Sequence, residues 1–522
     1  MDAPAPIQWL NSTMPFSLLP CTLILIVIIQ LFLSSLYLHK KRNPNLPPGP
    51  PPLPFIGNLH QIGRLPHLSL CRLAAAYGPI IHLTLGFIPT VVVSCPRTAR
   101  EVLRTHDLAL CSRPRIYAAR RLFYNCTDVA FAPYGPYWRH VRKLCILELL
   151  SPKRVESCAP ARAVEVSRMV DSVKASANLV NLTKILGFYT NGVLCRAAFG
   201  REFLEGGEYE RHGFEGMLED HHTLLGGFSL GDFYPEMGWV SKVSGTLRKL
   251  GKTFKRFDKL LDEILEEHLE KRRRRKEGGG GEEEGEEDLV DVLLDEKGKE
   301  GEGLEMPLTL DNVKAVILDM FAAGTDTTFI TLDWGMTELL MNPTAMKRAQ
   351  DEVRSIVGGG RTTVAETDLH RMHYLKAVVK EIFRLHPPVP LLLPRESMEP
   401  VTLQGYEVPA NTRIYVNAWA IGRDPVTWEN PEKFEPERFL GSNIDYKGQD
   451  FELIPFGAGR RGCPAITFGT VSIEIALAQL LYSFDWKLPP GVKAEDLDMT
   501  EVFGITMHRK EQLVVVAEPY NI

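Results

Sequence analysis

The sequence predicts a mainly α-helical protein with a small β region, preceded by one N-terminal transmembrane helix. Three observations carry this. Phe16 to Leu38 holds no charged residue over 23 positions. Two further apolar runs, Thr309 to Met341 and Ala465 to Phe484, suit long helices, the first with Thr309 as a cap and the second following Pro464. The clearest β-branched runs are short: Ile80 to Leu85 and Thr90 to Ser94, separated by Gly-Phe-Ile-Pro, which reads as a hairpin.

The 23 uncharged residues would span roughly 35 Å as a helix, enough for a bilayer core. His39-Lys40-Lys41-Arg42 follows at once, whereas Asp2 is the only charged side chain before it. The basic flank predicts a lumenal segment 1–15, an anchor 16–38 and a cytosolic bulk. A cleaved signal peptide would carry its basic residues on the other side and a shorter apolar run. Residues 39–58 then form a basic and proline-rich hinge, whose prolines (47-PPGPPPLP-54) stiffen it as a polyproline-like spacer.

Composition bounds the remainder. With 522 residues, 44% hydrophobic and a net charge of −5, the chain offers no basic surplus for nucleic acid. Nine scattered cysteines without Cys-x-x-Cys argue for a reducing compartment and against a disulfide framework.

Beyond the hairpin, residues 113–135 read as irregular. A helix from Tyr137 to Leu150 places Trp138 and Arg142 four apart on one face. Residues 160–270 are mostly helical. Residues 271–288 (KRRRRKEGGGGEEEGEED) are low-complexity, with opposed charge blocks, and are expected to form a disordered charged loop.

The apolar run from Thr309 is interrupted by 322-AAGTDTT-328. Ala322, Ala323 and Gly324 clear space beside the helix. Thr327 can bond back to the carbonyl of Ala323, bending the helix and opening a groove that presents Asp326 and Thr327. A buried polar turn satisfied by its own backbone is the plainer reading. Glu381 and Arg384 lie one turn apart on a helix from Tyr374 to Leu385, and 387-PPVPLLLPRE-396 reads as an extended strand.

The stretch 451–470 (FELIPFGAGRRGCPAITFGT) is the centre of the chain. Its glycines permit tight turns and close approach to a flat ligand. Pro464 at the first helical position would make Cys463 the helix N-cap, where the helix dipole, Arg460 and Arg461 would favour the thiolate. No nearby His or Cys completes a zinc or iron–sulfur site, and no His lies in the stretch to act as a base. A single thiolate on haem iron needs no further protein ligand. The plain alternative is a buried structural cysteine.

These stretches resemble the cytochromes P450, over nearly the whole chain. Phe456, Gly459, Arg461 and Cys463 match the haem-loop pattern Phe-x-x-Gly-x-Arg-x-Cys-x-Gly, with Ala465 where the last glycine stands. Residues 323–328 match the oxygen-activation pattern (Ala/Gly)-Gly-x-(Asp/Glu)-Thr-(Thr/Ser) without a gap. The wording of LPPGP, FAPYGPYWR, DMFAAGTDTT, PFGAGRRGCPA and FGITMHRK is similar to the plant A-type (seventy-one clan) microsomal enzymes.

The resemblance implies a P450 fold over 59–522 and haem b as cofactor, with Cys463 as axial ligand. It implies that Trp138, Arg142, Arg395 and Arg461 hold the propionates, with Ala323, Gly324, Phe456 and Gly459 also at the cofactor. Asp326 and Thr327 would manage protons. Glu381, Arg384 and Arg438 of 436-PERF-439 would form a buried structural network. Val389, Leu392, Phe503 and Ile505 would line the substrate pocket, and Phe228 and Phe233 are either further contacts or ordinary core or membrane-facing aromatics. The implied reaction inserts one atom of O2 into a small apolar plant specialised metabolite. Electrons come from NADPH through cytochrome P450 reductase, with cytochrome b5 as a second donor. The implied location is the endoplasmic reticulum membrane, single-pass, in contact with lipid and with the catalytic domain cytosolic. Two other readings stay open: a P450-fold dehydratase or isomerase acting on an oxygenated substrate such as an aldoxime, and a non-catalytic haem- or lipid-binding membrane protein.

Overall fold

The computed structural model describes residues 45–176, 178–202, 214–226, 230–234, 245–277, 288–298, 307–502 and 504–520. The expected anchor 16–38, the basic start of the hinge, Phe228 and Phe503 lie outside these residues. The described proline-rich segment is docked on the domain. His82 N–H donates to the carbonyl of Pro48 at 2.8 Å, and the Asn58 amide reaches the carbonyls of Pro50 and Pro51 at 3.3 Å each.

β1 (Ile80–Leu85) and β2 (Ile88–Val93) pair antiparallel, with Ile80 opposite Val93 and Leu85 opposite Ile88. The connection is shorter than the four residues expected, because Ile88 and Pro89 belong to β2. The parallel pairing on the far side of β2 begins only at Thr90, so the missing N–H of Pro89 breaks no rung there. Gly86, at φ +59°, makes the turn, and a Cβ there would lie 2.7 Å from the carbonyl oxygen of Phe233. β3 (Arg395–Glu396) and β4 (Arg413–Val416) complete a sheet of order β1-β2-β4-β3.

Helices make up most of the rest. They include α1 (Pro136–Leu144), α2 (Ala159–Ala175), α3 (Leu182–Phe199), α4 (Phe214–Leu225), α5 (Thr246–Glu277), α6 (Leu310–Met341), α7 (His373–Leu385) and α8 (Ile466–Ser483). α6 runs through the core against α3 and α8. Its start is capped as the sequence predicts: Asn312 N–H donates to Thr309 Oγ1 at 3.2 Å, and Thr309 N–H returns a bond to Asn312 Oδ1 at 2.9 Å. α6 and α8 are apolar enough to cross a membrane, but their apolar faces are buried against protein, which accounts for that composition.

Four local expectations are corrected. Residues 113–135 contain a helix, Tyr117–Leu122. The helix carrying Trp138 is α-helical only to Leu144, after which Cys145–Leu149 form a π-helical turn. Lys271 to Glu277 continue α5 instead of forming a loop, because Lys, Arg and Glu propagate a helix already begun; residues 278–287 lie outside the described set. The stretch 387–396 is a turn with only Arg395–Glu396 in a strand. Its four prolines remove ladder donors, and Leu392, at φ +50°, folds back so that its N–H reaches the carbonyl of Val389 at 3.1 Å.

Candidate active site

Cys463 lies in the loop between the 3-10 turn Gly459–Arg461 and α8. Its amide donates to the carbonyl of Phe456 at 2.9 Å, closing the loop. Gly459 is required: at φ +70° it passes so close to the chain at Leu103 that a Cβ would lie 2.1 Å from that carbonyl oxygen. α8 begins at Ile466 with Ala465 as N-cap, so Cys463 is not the N-cap and Pro464 serves the turn ahead of the helix.

The charges at the thiol also differ from expectation. Burial pushes the Cys463 pKa up, against the Ala465 N–H, which donates to Sγ at 3.4 Å, and the Arg142 guanidinium. Arg460 instead sits beside Asp107, and Arg461 turns to backbone carbonyls.

Cys463 opens onto a cavity of about 620 Å³. Its lining includes four arginines with lowered pKa values, Arg142, Arg395, Arg461 and Arg113, the last not recognised from sequence. Arg395 pairs with Asp107 at 2.7 Å and donates to the carbonyl of Ala458. The others donate only to backbone carbonyls: Arg142 to Gly462, Arg461 to Cys111, Val129 and Ala132, and Arg113 to Ala130, Leu393 and Pro394. Burial lowers the pKa of all four, that of Arg461 to about 9. Such clustered buried cations call for an anionic guest. A flat, apolar dianion with a thiolate-binding centre suits this cavity, and haem b fits that description.

Trp138 does not line the cavity. Its Nε1 donates to the carbonyl of Val129 at 3.0 Å, so its N–H is not available to a propionate. Its ring instead packs against the Arg461 guanidinium at 3.9 Å and that of Arg142 at 5.5 Å, holding both in place.

On α6, Ala323, Gly324 and Thr327 reach the cavity wall. Thr327 Oγ1 donates to the carbonyl of Ala323 at 2.7 Å, as the sequence predicts, while the helix stays continuous. Asp326 does not share that groove. Successive helix residues point about 100° apart, and Asp326 turns away to His508 Nε2 at 3.0 Å and His222 Nδ1 at 3.3 Å. Those two histidines outweigh burial, which alone would raise its pKa, and hold the carboxyl below the ordinary range.

Glu381, Arg384 and Arg438 form one network. Arg384 grips Glu381 through two bonds, and Arg438 Nε reaches the same carboxylate at 3.0 Å. Between the first two, Phe383 stacks edge-on against Phe456 of the cysteine loop at 5.0 Å. Val389, Leu392 and Ile505 line the cavity. Phe233 does not; it packs beneath the sheet with Leu83 and Tyr415.

Sequence reasoning missed Arg113, His221, His222 and His508. The first precedes a proline in a loop, and nothing local marks it. His221 carried a readable signal, since it falls on the apolar stripe of Met217, Leu218 and Leu225 in α4.

Comparison with known proteins gives the following. Residues 47–516 match the family described as Cytochrome P450. "Cytochrome P450 71AP13" of Prunus mume is 63% identical over 495 residues, 94% of either chain. "Premnaspirodiene oxygenase" of Hyoscyamus muticus is 45% identical over 504 residues, covering 95% of this chain and 98% of that one. Among solved structures, a zebrafish cytochrome P450 with abiraterone superposes with a TM-score of 0.72 at 27% identity, covering 88% of this chain and all of that one.

Proposed function

The chain belongs to the cytochrome P450 family as a haem-thiolate monooxygenase, and on that premise we propose that it oxygenates a small, largely apolar plant specialised metabolite with electrons from NADPH delivered by cytochrome P450 reductase. The observation that carries this is one cavity lined together by Cys463, buried arginines, Thr327 and apolar side chains such as Val389, Leu392 and Ile505.

Cys463 would hold the haem iron, and Arg113, Arg142, Arg395 and Arg461 its propionates. Bound there, haem b supplies the reductive activation of O2 from which one oxygen atom passes to the substrate. The Thr327 hydroxyl, in the cavity wall, donates to the carbonyl of Ala323, which leaves its lone pairs to accept, and it can pass a proton on by releasing that carbonyl. Asp326 links two histidines. His508 has a side chain 30% exposed to solvent, and His222 lines the cavity. Protons from solvent can therefore reach Asp326 through His508, while the 3.3 Å approach of His222 to the other carboxylate oxygen is a charge contact without a hydrogen bond. The apolar walls exclude water and set an apolar substrate. A relative named for premnaspirodiene oxygenation agrees with that class. The uncharged run 16–38 and its basic flank support a single-pass anchor in the endoplasmic reticulum, with the catalytic domain cytosolic. Cytochrome b5 is the second donor on this reading.

The test is the CO difference spectrum of the reduced protein, wild type beside Cys463→Ser, followed by turnover with NADPH and purified reductase on a panel of terpenoids, phenylpropanoids and amino-acid-derived aromatics. A thiolate-type Soret band in the wild type alone, with reductase-dependent product, is expected. A wild type without that band overturns the assignment of Cys463.

A further inference from the structure

Among the described residues, the cavity wall contains a buried polar ring with neither nitrogen hydrogen-bonded. His221 is 3% exposed and lines the cavity from α4. Phe123, Phe257 and His222 surround it edge-on, at 5.6, 5.7 and 5.2 Å between ring centres. Neither Nδ1 nor Nε2 makes a hydrogen bond. Burial, reinforced by His222, holds its pKa well below the ordinary imidazole value. The ring is therefore neutral near pH 7 and offers one N–H donor and one lone-pair acceptor.

Several other polar groups in the wall are already engaged. His222 faces Asp326 and bonds to the carbonyl of Ala322. The hydroxyls of Thr327 and Thr328 donate to the carbonyls of Ala323 and Gly324. Asp319 accepts from the amides of Val129 and Ala130. An imidazole desolvated among aromatic rings with neither nitrogen satisfied is costly, and native proteins rarely leave one so. The cost is met if a guest supplies the missing partner.

We propose that His221 is the polar anchor of the substrate site, so that the substrate is a mostly apolar small molecule carrying one hydrogen-bonding oxygen, a hydroxyl or a carbonyl. This rests on the monooxygenase reading above and narrows its substrate class. A hydroxyl can donate to the bare nitrogen or accept from the N–H, and a carbonyl can accept from the N–H. A plain hydrocarbon leaves both nitrogens unpaired. An anchor on α4 also fixes which end of the molecule turns toward the reacting centre, so His221 acts as a positioning residue.

The experiment uses the full-length holoenzyme in lipid nanodiscs with two probes of one shape, biphenyl and 4-hydroxybiphenyl. Dissociation constants are measured by equilibrium dialysis against empty nanodiscs for wild type, His221→Phe and His221→Gln. The quantity of interest is the ratio of the two constants within each protein, which cancels the difference in hydrophobicity of the probes. The preference for the hydroxylated probe should fall by about tenfold in His221→Phe, the worth of one hydrogen bond to a buried group. It should be partly restored in His221→Gln, while biphenyl binds the three proteins within about twofold. An unchanged ratio in His221→Phe, or failure of both probes to bind the folded wild type, overturns the anchor. The CO difference spectra of the same samples report on the haem-thiolate reading separately, since they read the Cys463 ligand and not His221.

Discussion

Arg384 and Glu381 grip each other across one turn of α7 through hydrogen bonds of 2.7 and 2.8 Å, and both side chains are fully buried. Arg384 also donates to the carbonyls of Gly422, Pro431 and Lys433, tying the segment that carries Arg438 to the helix. A buried pair of this kind adds little net stability over an apolar pair, but losing one partner strands the other charge. Glu381→Gln should therefore cost about 3–5 kcal/mol. Arg384→Lys should also be poorly tolerated, because an ammonium cannot reproduce the fork. Urea unfolding with haem content measured in parallel checks this. Haem should be lost along with stability, since Phe383 braces Phe456 of the cysteine loop; full stability with full haem would contradict the role given to the network.

Arg461 makes a second prediction. Its guanidinium satisfies three backbone carbonyls and packs on Trp138. Arg461→Met keeps the bulk and leaves the carbonyls of Cys111 and Ala132 unpaired, while that of Val129 keeps its bond from Trp138, at about 1–3 kcal/mol for each group that stays dry. Haem per protein should fall, and Trp138→Phe should produce a milder version of the same defect by loosening Arg461 and Arg142 together. Absorbance at the Soret band per polypeptide, with the denaturation midpoint, is the readout. If Trp138→Phe retains haem less well than Arg461→Met, Trp138 acts through something other than the two guanidinium groups.

The pairing of Asp326 with His508 predicts a pH dependence of stability. Burial alone would lower the His508 pKa, but Asp326 outweighs it and raises it above 6.5. That contribution is fully present below 6.5 and is lost as the pH rises through the raised value. The carboxyl is depressed, so its contribution is fully present above 3.8 and is lost as the pH falls through the lowered value. The pair thus stabilises most between those two ordinary values. The stability difference between wild type and Asp326→Asn should be greatest near pH 5–6 and should shrink as the pH rises to 9. Urea midpoints across that range test it. A difference that grows with pH would mean that His508 is not the titrating partner.

The parts of the site readable from sequence were those where chemistry and spacing coincide locally. Cys463 with its glycines, Glu381 one turn from Arg384, and Thr327 back-bonded to Ala323 all make contacts within a few residues or within one motif. The misplaced details depend on distant chain. Asp326 was paired with Thr327 because they are adjacent, but His222 and His508 come from segments about one hundred or more residues away. Trp138 was given to a propionate because its spacing from Arg142 resembles the family helix, whereas here the carbonyl of Val129 takes its N–H. The start of α8 was set by a proline rule that holds for helix ends in general, yet here the loop is closed by Cys463 and Phe456, and the helix begins only after that closure.

The last prediction concerns the surface next to the hinge. Leu53, Phe55, Ile56 and Phe87 are each 40–48% exposed. They form one patch, because Phe87 packs on Tyr234 at 5.2 Å and the Tyr234 hydroxyl reaches the carbonyl of Phe55 at 3.2 Å. An exposed apolar patch is costly in water and marks a contact surface. The patch directly follows the prolines that leave the predicted anchor, and those prolines are pinned to β1 through Pro48 and His82. A bilayer holding the anchor would therefore lie against this face. An environment-sensitive fluorescent amino acid placed at Phe55 of the full-length protein in nanodiscs should be quenched by brominated lipid, and the same group at exposed Lys493 should not. Equal quenching at both positions, or none at Phe55, would mean that the anchor leaves the domain free of the membrane and that the patch meets a different partner.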